Sequence, residues 1–114
     1  MNDLNSVLLE GELVADPVIE DTEDDKATCT FSIASCRFFK VGNRTEKEIF
    51  HFDVEASDRL GKTCVDVLKK ERGVRVVDRL AQDVKVSLDG TAQVRTYIVA
   101  EHVEIKPEKK VSVS

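Results

Sequence analysis

Residues 37–52 hold four of the chain's five phenylalanines, Phe38, Phe39, Phe50 and Phe52, with basic side chains threaded between them: Arg37, Lys40, Arg44 and Lys47. Aromatic rings offer flat faces on which bases stack, and cations neutralise phosphates. Around a turn between strands, the two together are the ingredients of a single-stranded nucleic-acid platform. The same residues also build an ordinary hairpin, with phenylalanines in a core and charges on a solvated rim. Neighbouring residues on a strand face opposite ways, so Phe38 and Phe39 do not both enter one core. Lys62, Lys69, Lys70 and Arg72, on or after an expected helix, are further candidates for phosphate contact, although cations at a helix end also favour its dipole. Arg75, Arg79, Lys85 and Arg95 fall in the last two expected strands as candidate groove residues.

The elements that must position these side chains follow from periodicity. In residues 5–14, Val7, Leu9 and Leu13 alternate with Glu10 and Glu12, which is the pattern of a half-buried strand. Asp16-Pro17 ends it, and Val18 and Ile19 resume it before the acidic run 20–25, which reads as a hairpin loop. Residues 27–37 form a second strand with Cys29, Phe31 and Ile33 on one face. Val41-Gly42-Asn43-Arg44 is a turn, with Gly-Asn suited to positive φ. Residues 47–56 form a third strand in which Phe50, Phe52 and Val54 alternate with Ile49, His51 and Asp53. Ser57 or Asp58 caps a helix running to about Glu71, with an apolar stripe of Leu60, Cys64 and Leu68 and with Gly73 as its C-cap. Strands over 74–86 and 94–105 follow, joined at Asp89-Gly90.

The order β-β-β-α-β-β in about 100 residues is that of a five-stranded Greek-key oligonucleotide/oligosaccharide-binding (OB) barrel, an all-β fold with one helix. One domain over 1–105 and a flexible tail over 106–114 are expected.

Composition narrows the function classes. At 114 residues with 41% hydrophobic and 34% charged side chains, the chain reads as one globular domain. It has no apolar run long enough to span a membrane and no basic, apolar start of a secretory signal, which points to the cytoplasm. The net charge of −5 is unevenly spread. The first 25 residues hold nine acids and no Lys or Arg, whereas the rest holds 17 basic and 13 acidic residues. A binding surface therefore coexists with an acidic end, and modest affinity with marked salt sensitivity is expected.

Cys29, Cys36 and Cys64 lack metal-ligand spacing and are expected to be reduced and structural. His51 and His102 have no third ligand beside them, and the acidic run lacks a calcium-loop signature, so neither a metal nor another cofactor is expected. No phosphate loop, nucleophile elbow or His-Glu metal motif is present, and the chain does not read as an enzyme.

The first strand also carries a motif. Asn5, Val7, Leu9, Gly11, Leu13, Asp16 and Pro17 meet the pattern N-x-V-x-L-x-G-x-L-x-x-D-P at all seven positions, and the segment resembles the first strand of bacterial single-stranded DNA-binding proteins. Phe31-Ser32-Ile33-Ala34 resembles the family's F-S-L-A, Phe50-His51 its aromatic-His pair, and Leu68-Lys69-Lys70 before Gly73 its L-x-K-G with two extra residues. The resemblance covers residues 5–105. It implies an OB fold assembled as a homotetramer, with a dimer as the alternative, that binds single-stranded DNA of any sequence in replication, recombination and repair.

By position, Phe39 (or Phe38) stands at the family's aromatic at the end of strand two and Phe50 at that of strand three. Phe52 lies two residues on, and His51 falls near the family's subunit interface, to which Asn5 and Val7 are also assigned. The chain departs from the pattern in having no Trp, in Ser6, in Glu55-Ala56-Ser57, and in an acidic stretch over 78–83. It also ends without the family's acidic, Phe-terminated tip, through which replication or repair proteins are recruited. These departures fit an alternative, an OB module for protein interaction or primosome accessory work with weak or no DNA binding.

Overall fold

The computed structural model describes residues 2–21 and 27–107. The strands alternate as their sequences require, and each apolar face turns toward one core. Six strands and one helix follow in the order β1 (Val7–Leu13), β2 (Val18–Asp21), β3 (Ala27–Val41), β4 (Arg44–Ser57), α1 (Asp58–Val67), β5 (Gly73–Val86) and β6 (Ala92–Ile105). The sheet runs β1-β5-β6-β4-β3, and an extra pairing of β1 with β3 closes it into a five-stranded barrel. Every neighbouring pair is antiparallel except β4 with β6, where Val54 lies opposite Ile98 and Glu55 opposite Val99. β2 is the resumed piece of the first strand and adds to the edge of β3. The core comprises Leu13, Cys29, Phe31, Ile33, Val54, Ala56, Cys64, Leu68, Val74, Val76, Ile98 and Ala100. Two of the thiols, Cys29 and Cys64, are therefore packing residues, and burial pushes the Cys64 thiol up to about 11.

The first-strand motif now has physical content. The Asn5 amide donates to the Leu80 carbonyl and accepts from the Leu80 N–H, both at 2.9 Å, so it fastens the chain ahead of β1 to β5. Asp16 accepts the Lys70 N–H at 2.8 Å and so fixes the turn after the helix. Gly11 sits where β3 crosses β1. A Cβ there would lie 2.3 Å from the Ala34 carbonyl oxygen and 2.5 Å from Ile33 Cγ2. Gly11→Ala must push these strands apart at the barrel seam, and overpacking of this kind costs about 2–3 kcal/mol. A urea denaturation midpoint lowered to match is the expected result; an unchanged midpoint would show that the seam yields freely.

Two expectations at the helix are corrected. α1 stops at Val67 rather than near Glu71, and Gly73 opens β5 opposite Glu12 instead of capping the helix. Tertiary pairing overrides the helical pattern. Leu68 turns extended (ψ 143) with its side chain in the core, and the following backbone bonds to β1: Glu71 N–H to the Leu13 carbonyl at 2.8 Å, Leu13 N–H to the Arg72 carbonyl at 3.0 Å. The left-handed residue of this connection is Glu71 (φ 74), a conformation that favours glycine.

Both long hairpins extend further than periodicity indicated. β3 and β4 pair all the way to Val41 and Arg44, across a two-residue turn in which Gly42 takes φ 63. Of the acidic run, Glu20 and Asp21 belong to β2; residues 22–26 lie outside the described part, as do residues 108–114 of the tail. Lys106 is tied down, its N–H bonded to the Gly73 carbonyl at 2.9 Å and its ammonium paired with Glu10.

β5 carries one charge into the interior. Asp78 continues the inward phase of Val74 and Val76, is 2% exposed, and lies opposite Val7 of β1 and Ala100 of β6 beside a bulge at Glu101. Neither carboxyl oxygen has a hydrogen-bond partner. Burial, with a smaller contribution from Glu101, raises its pKa to about 7.

Candidate nucleic-acid interface

Beyond Ile33 and Val54 the barrel ends, but β3 and β4 continue as a projecting hairpin. Residues in the inward phase of the core therefore have no opposing layer. On this face the cross-strand pairs run Ile33/Phe52, Ser35/Phe50, Arg37/Glu48, Phe39/Glu46 and Val41/Arg44. Phe50 is 45% and Phe52 37% exposed, and Phe39 is half-buried. Phe50 and Phe52 are two residues apart on one strand, roughly 7 Å, and Phe39 is about four residues further out, roughly 13 Å. The Arg37 guanidinium lies 5.4 Å from the Phe39 ring centre. Three rings and two arginines, Arg37 and Arg44, thus share one surface.

The opposite face of the same hairpin is a different surface. There Phe38, 67% exposed, is paired across the strands with Lys47, whose ammonium lies 5.7 Å from the ring centre. Cys36 faces Ile49, Ala34 faces His51, and Lys40 faces Thr45. Strand alternation therefore resolves the choice between adjacent phenylalanines: Phe39, not Phe38, shares a face with Phe50 and Phe52. Phe38, Lys47 and Ile49 line one wall of a cleft of about 1170 Å³, and Lys69, Lys70 and Arg72 of the α1–β5 connection line the other.

The remaining candidates are dispersed. Lys62 is exposed on α1, and Arg79 pairs with Glu101 at 3.7 Å. Lys85 and Arg95 lie on the outer face of the β5–β6 hairpin, along a groove that Asp16, Glu20, Asp53 and Glu55 make acidic. Arg95 is committed within the chain: it contacts Glu55 at 3.1 Å and Asp83 at 3.7 Å and stacks on Tyr97 at 4.5 Å. Arg75 is likewise paired, with Glu10 at 3.1 Å. Of the residues assigned to a subunit interface, His51 is exposed, Val7 is half-buried, and the Asn5 side chain is occupied by Leu80. Among the described residues no helix is long and apolar enough to cross a membrane.

Sequence reasoning missed two features: the Arg95–Tyr97 stack and the buried Asp78. The alternation of Arg95 with Tyr97, and of Asp78 with Val74 and Val76, was the available signal for both.

Comparison with known proteins bears on this arrangement. The Single-strand binding protein family profile matches residues 4–106. A curated relative, Single-stranded DNA-binding protein 2 of Chlorobaculum tepidum, is 30% identical over 112 residues, which cover 96% of this chain and 76% of that protein. Among solved structures, the Plasmodium falciparum SSB complex with ssDNA superposes with a TM-score of 0.80 at 19% identity, over 94% of this chain and 98% of that one. The backbone is thus an OB fold, and the chain belongs to the single-strand binding protein family.

Proposed function

We propose that this protein binds single-stranded DNA without regard to sequence and protects it during replication, recombination and repair in the cytoplasm. The observation that carries this reading is the shared, unroofed face of Phe39, Phe50 and Phe52 with Arg37 and Arg44 beside them. Bases stack on the rings, and phosphates follow the arginines. Every base has a π-face, so such a surface tolerates any sequence. Lys40, Lys47, Lys62, Lys70 and Arg72 supply a wider field that steers the strand, while Phe38 stands apart on the second face. In this reading the chain acts as a homotetramer, and exposed aliphatics such as Leu8, Val84, Val86 and Val94 provide surface for assembly.

A fluorescence-anisotropy titration of labelled oligothymidine at two salt concentrations tests the function. Binding that weakens with salt, by about 0.7 in log K per log salt for each phosphate neutralised, is the expected outcome. Absence of binding at low salt would turn the search to protein partners.

A further inference from the structure

The aromatic face carries as many carboxylates as arginines. Glu48 lies directly opposite Arg37 and contacts its guanidinium at 3.7 Å, and Glu46 contacts Arg44 at 3.6 Å from two residues along the same face of β4. Glu46 also lies directly opposite Phe39. These carboxylates are partly covered (38% and 44% exposed), whereas the arginines are more open (66% and 77%).

We propose that Glu46 and Glu48 act as latches on the DNA-binding face. They hold the guanidiniums of Arg37 and Arg44 in the free protein, and they must give them up to backbone phosphates on binding. This rests on the DNA-binding reading above and deepens it. A phosphate approaching Arg37 over Phe39 meets a cation already half neutralised and a like charge a few ångströms away. Both effects lower affinity without altering the stacking surface. The latches also hold the arginines beside the rings, so the free face is ordered and its net charge is near zero. The device sets an upper limit on affinity and keeps bound strands exchangeable.

The test is a set of oligothymidine titrations, over a range of salt, on the wild-type protein, Glu48→Gln, Arg37→Ala and the double variant. Glu48→Gln is expected to tighten binding about fivefold at low salt, because Arg37 no longer has to leave a carboxylate to reach a phosphate. In the Arg37→Ala background the same substitution is expected to gain less than half as much, the signature of direct coupling. Glu46→Gln added to Glu48→Gln is expected to tighten binding further. An affinity unchanged by Glu48→Gln, with the wild type binding, overturns the latch alone. Equal gains in both backgrounds also overturn it, since they report only a change in net charge. Failure of the wild type to bind overturns the DNA-binding reading and the latch with it. A surface substitution of this kind leaves the melting temperature within a few degrees, so a folding defect is separately visible.

Discussion

Replacing Phe39, Phe50 and Phe52 together by alanine is expected to lower affinity for oligothymidine at least a hundredfold, while Phe38→Ala changes it by less than about threefold. Each base stacked on an aromatic ring contributes ~1–3 kcal/mol, a range established on single-strand-binding OB folds themselves. Three such contacts amount to at least about 3 kcal/mol, and a factor of ten corresponds to about 1.4 kcal/mol. The contrast with Phe38 carries the information. That ring is the most exposed of the four and has a cation beside it, so a rule based on exposure alone would choose it first. Strand alternation instead places it behind the platform. The loss should appear in dissociation more than in association, because the variant leaves every charged side chain in place. The three rings lie beyond the barrel end, so the triple variant should remain folded, with Phe39, the most covered of the three, the main contributor to any fall in melting temperature. Equal losses for Phe38→Ala and the triple variant would place the strand across both faces and contradict this geometry.

A second large effect is expected at Asp78, in the dependence of stability on pH. Its carboxyl is buried, has no hydrogen-bond partner, and titrates at about 7 when folded instead of 3.8. Between those values the folded protein holds a proton that the unfolded chain has released. Stability therefore falls as pH rises through this window and levels off above it. Three pH units correspond to about 4 kcal/mol of stability present near pH 4 and lost by pH 8.

The groups around Asp78 offer no rescue. Val7 and Ala100 are apolar, Glu101 is a like charge, and Arg79 is paired with Glu101. Asp78→Asn keeps the shape and removes the titration. Urea denaturation at pH 4 and pH 8 should show the variant gaining markedly on the wild type at pH 8 and little at pH 4. Parallel pH profiles for the two proteins would mean that the carboxyl finds a partner in solution.

Local pattern and tertiary pairing divide what the sequence could reveal. Cys29, Phe31, Ile33, Val54, Val74 and Val76 announce their burial by simple alternation, and the strand order with one helix between the third and fourth main strands points directly to the barrel. Asn5, Gly11 and Asp16 are legible as a motif, but their reasons are contacts with Leu80, Ala34 and Lys70, which only the folded chain brings together. The helix end fails for the same reason: Leu68 continues the apolar stripe, and nothing local says that the next amides will bond to β1.

At the site, the phenylalanines and arginines were legible as a group. Their division between two faces needed the unbroken register of β3 against β4, which alternation alone leaves open where a bulge can intervene. The scattering of Lys62, Lys70, Arg79, Lys85 and Arg95 depends on barrel closure, and the commitment of Arg95 to Glu55, forty positions away, depends on the parallel β4–β6 pairing. Net charge is a poor guide to such a face, because the carboxylates that lower it are partners of the arginines themselves.

In the proposed binding mode, single-stranded DNA lies on the face of Phe39, Phe50 and Phe52. The most direct measurement is photocrosslinking of 5-iodouracil-substituted oligothymidine to the protein, with the adducts mapped by mass spectrometry. Adducts on these three rings are expected. Adducts confined to Phe38 and its cleft, or absent from all three rings while the oligonucleotide is bound, would contradict it.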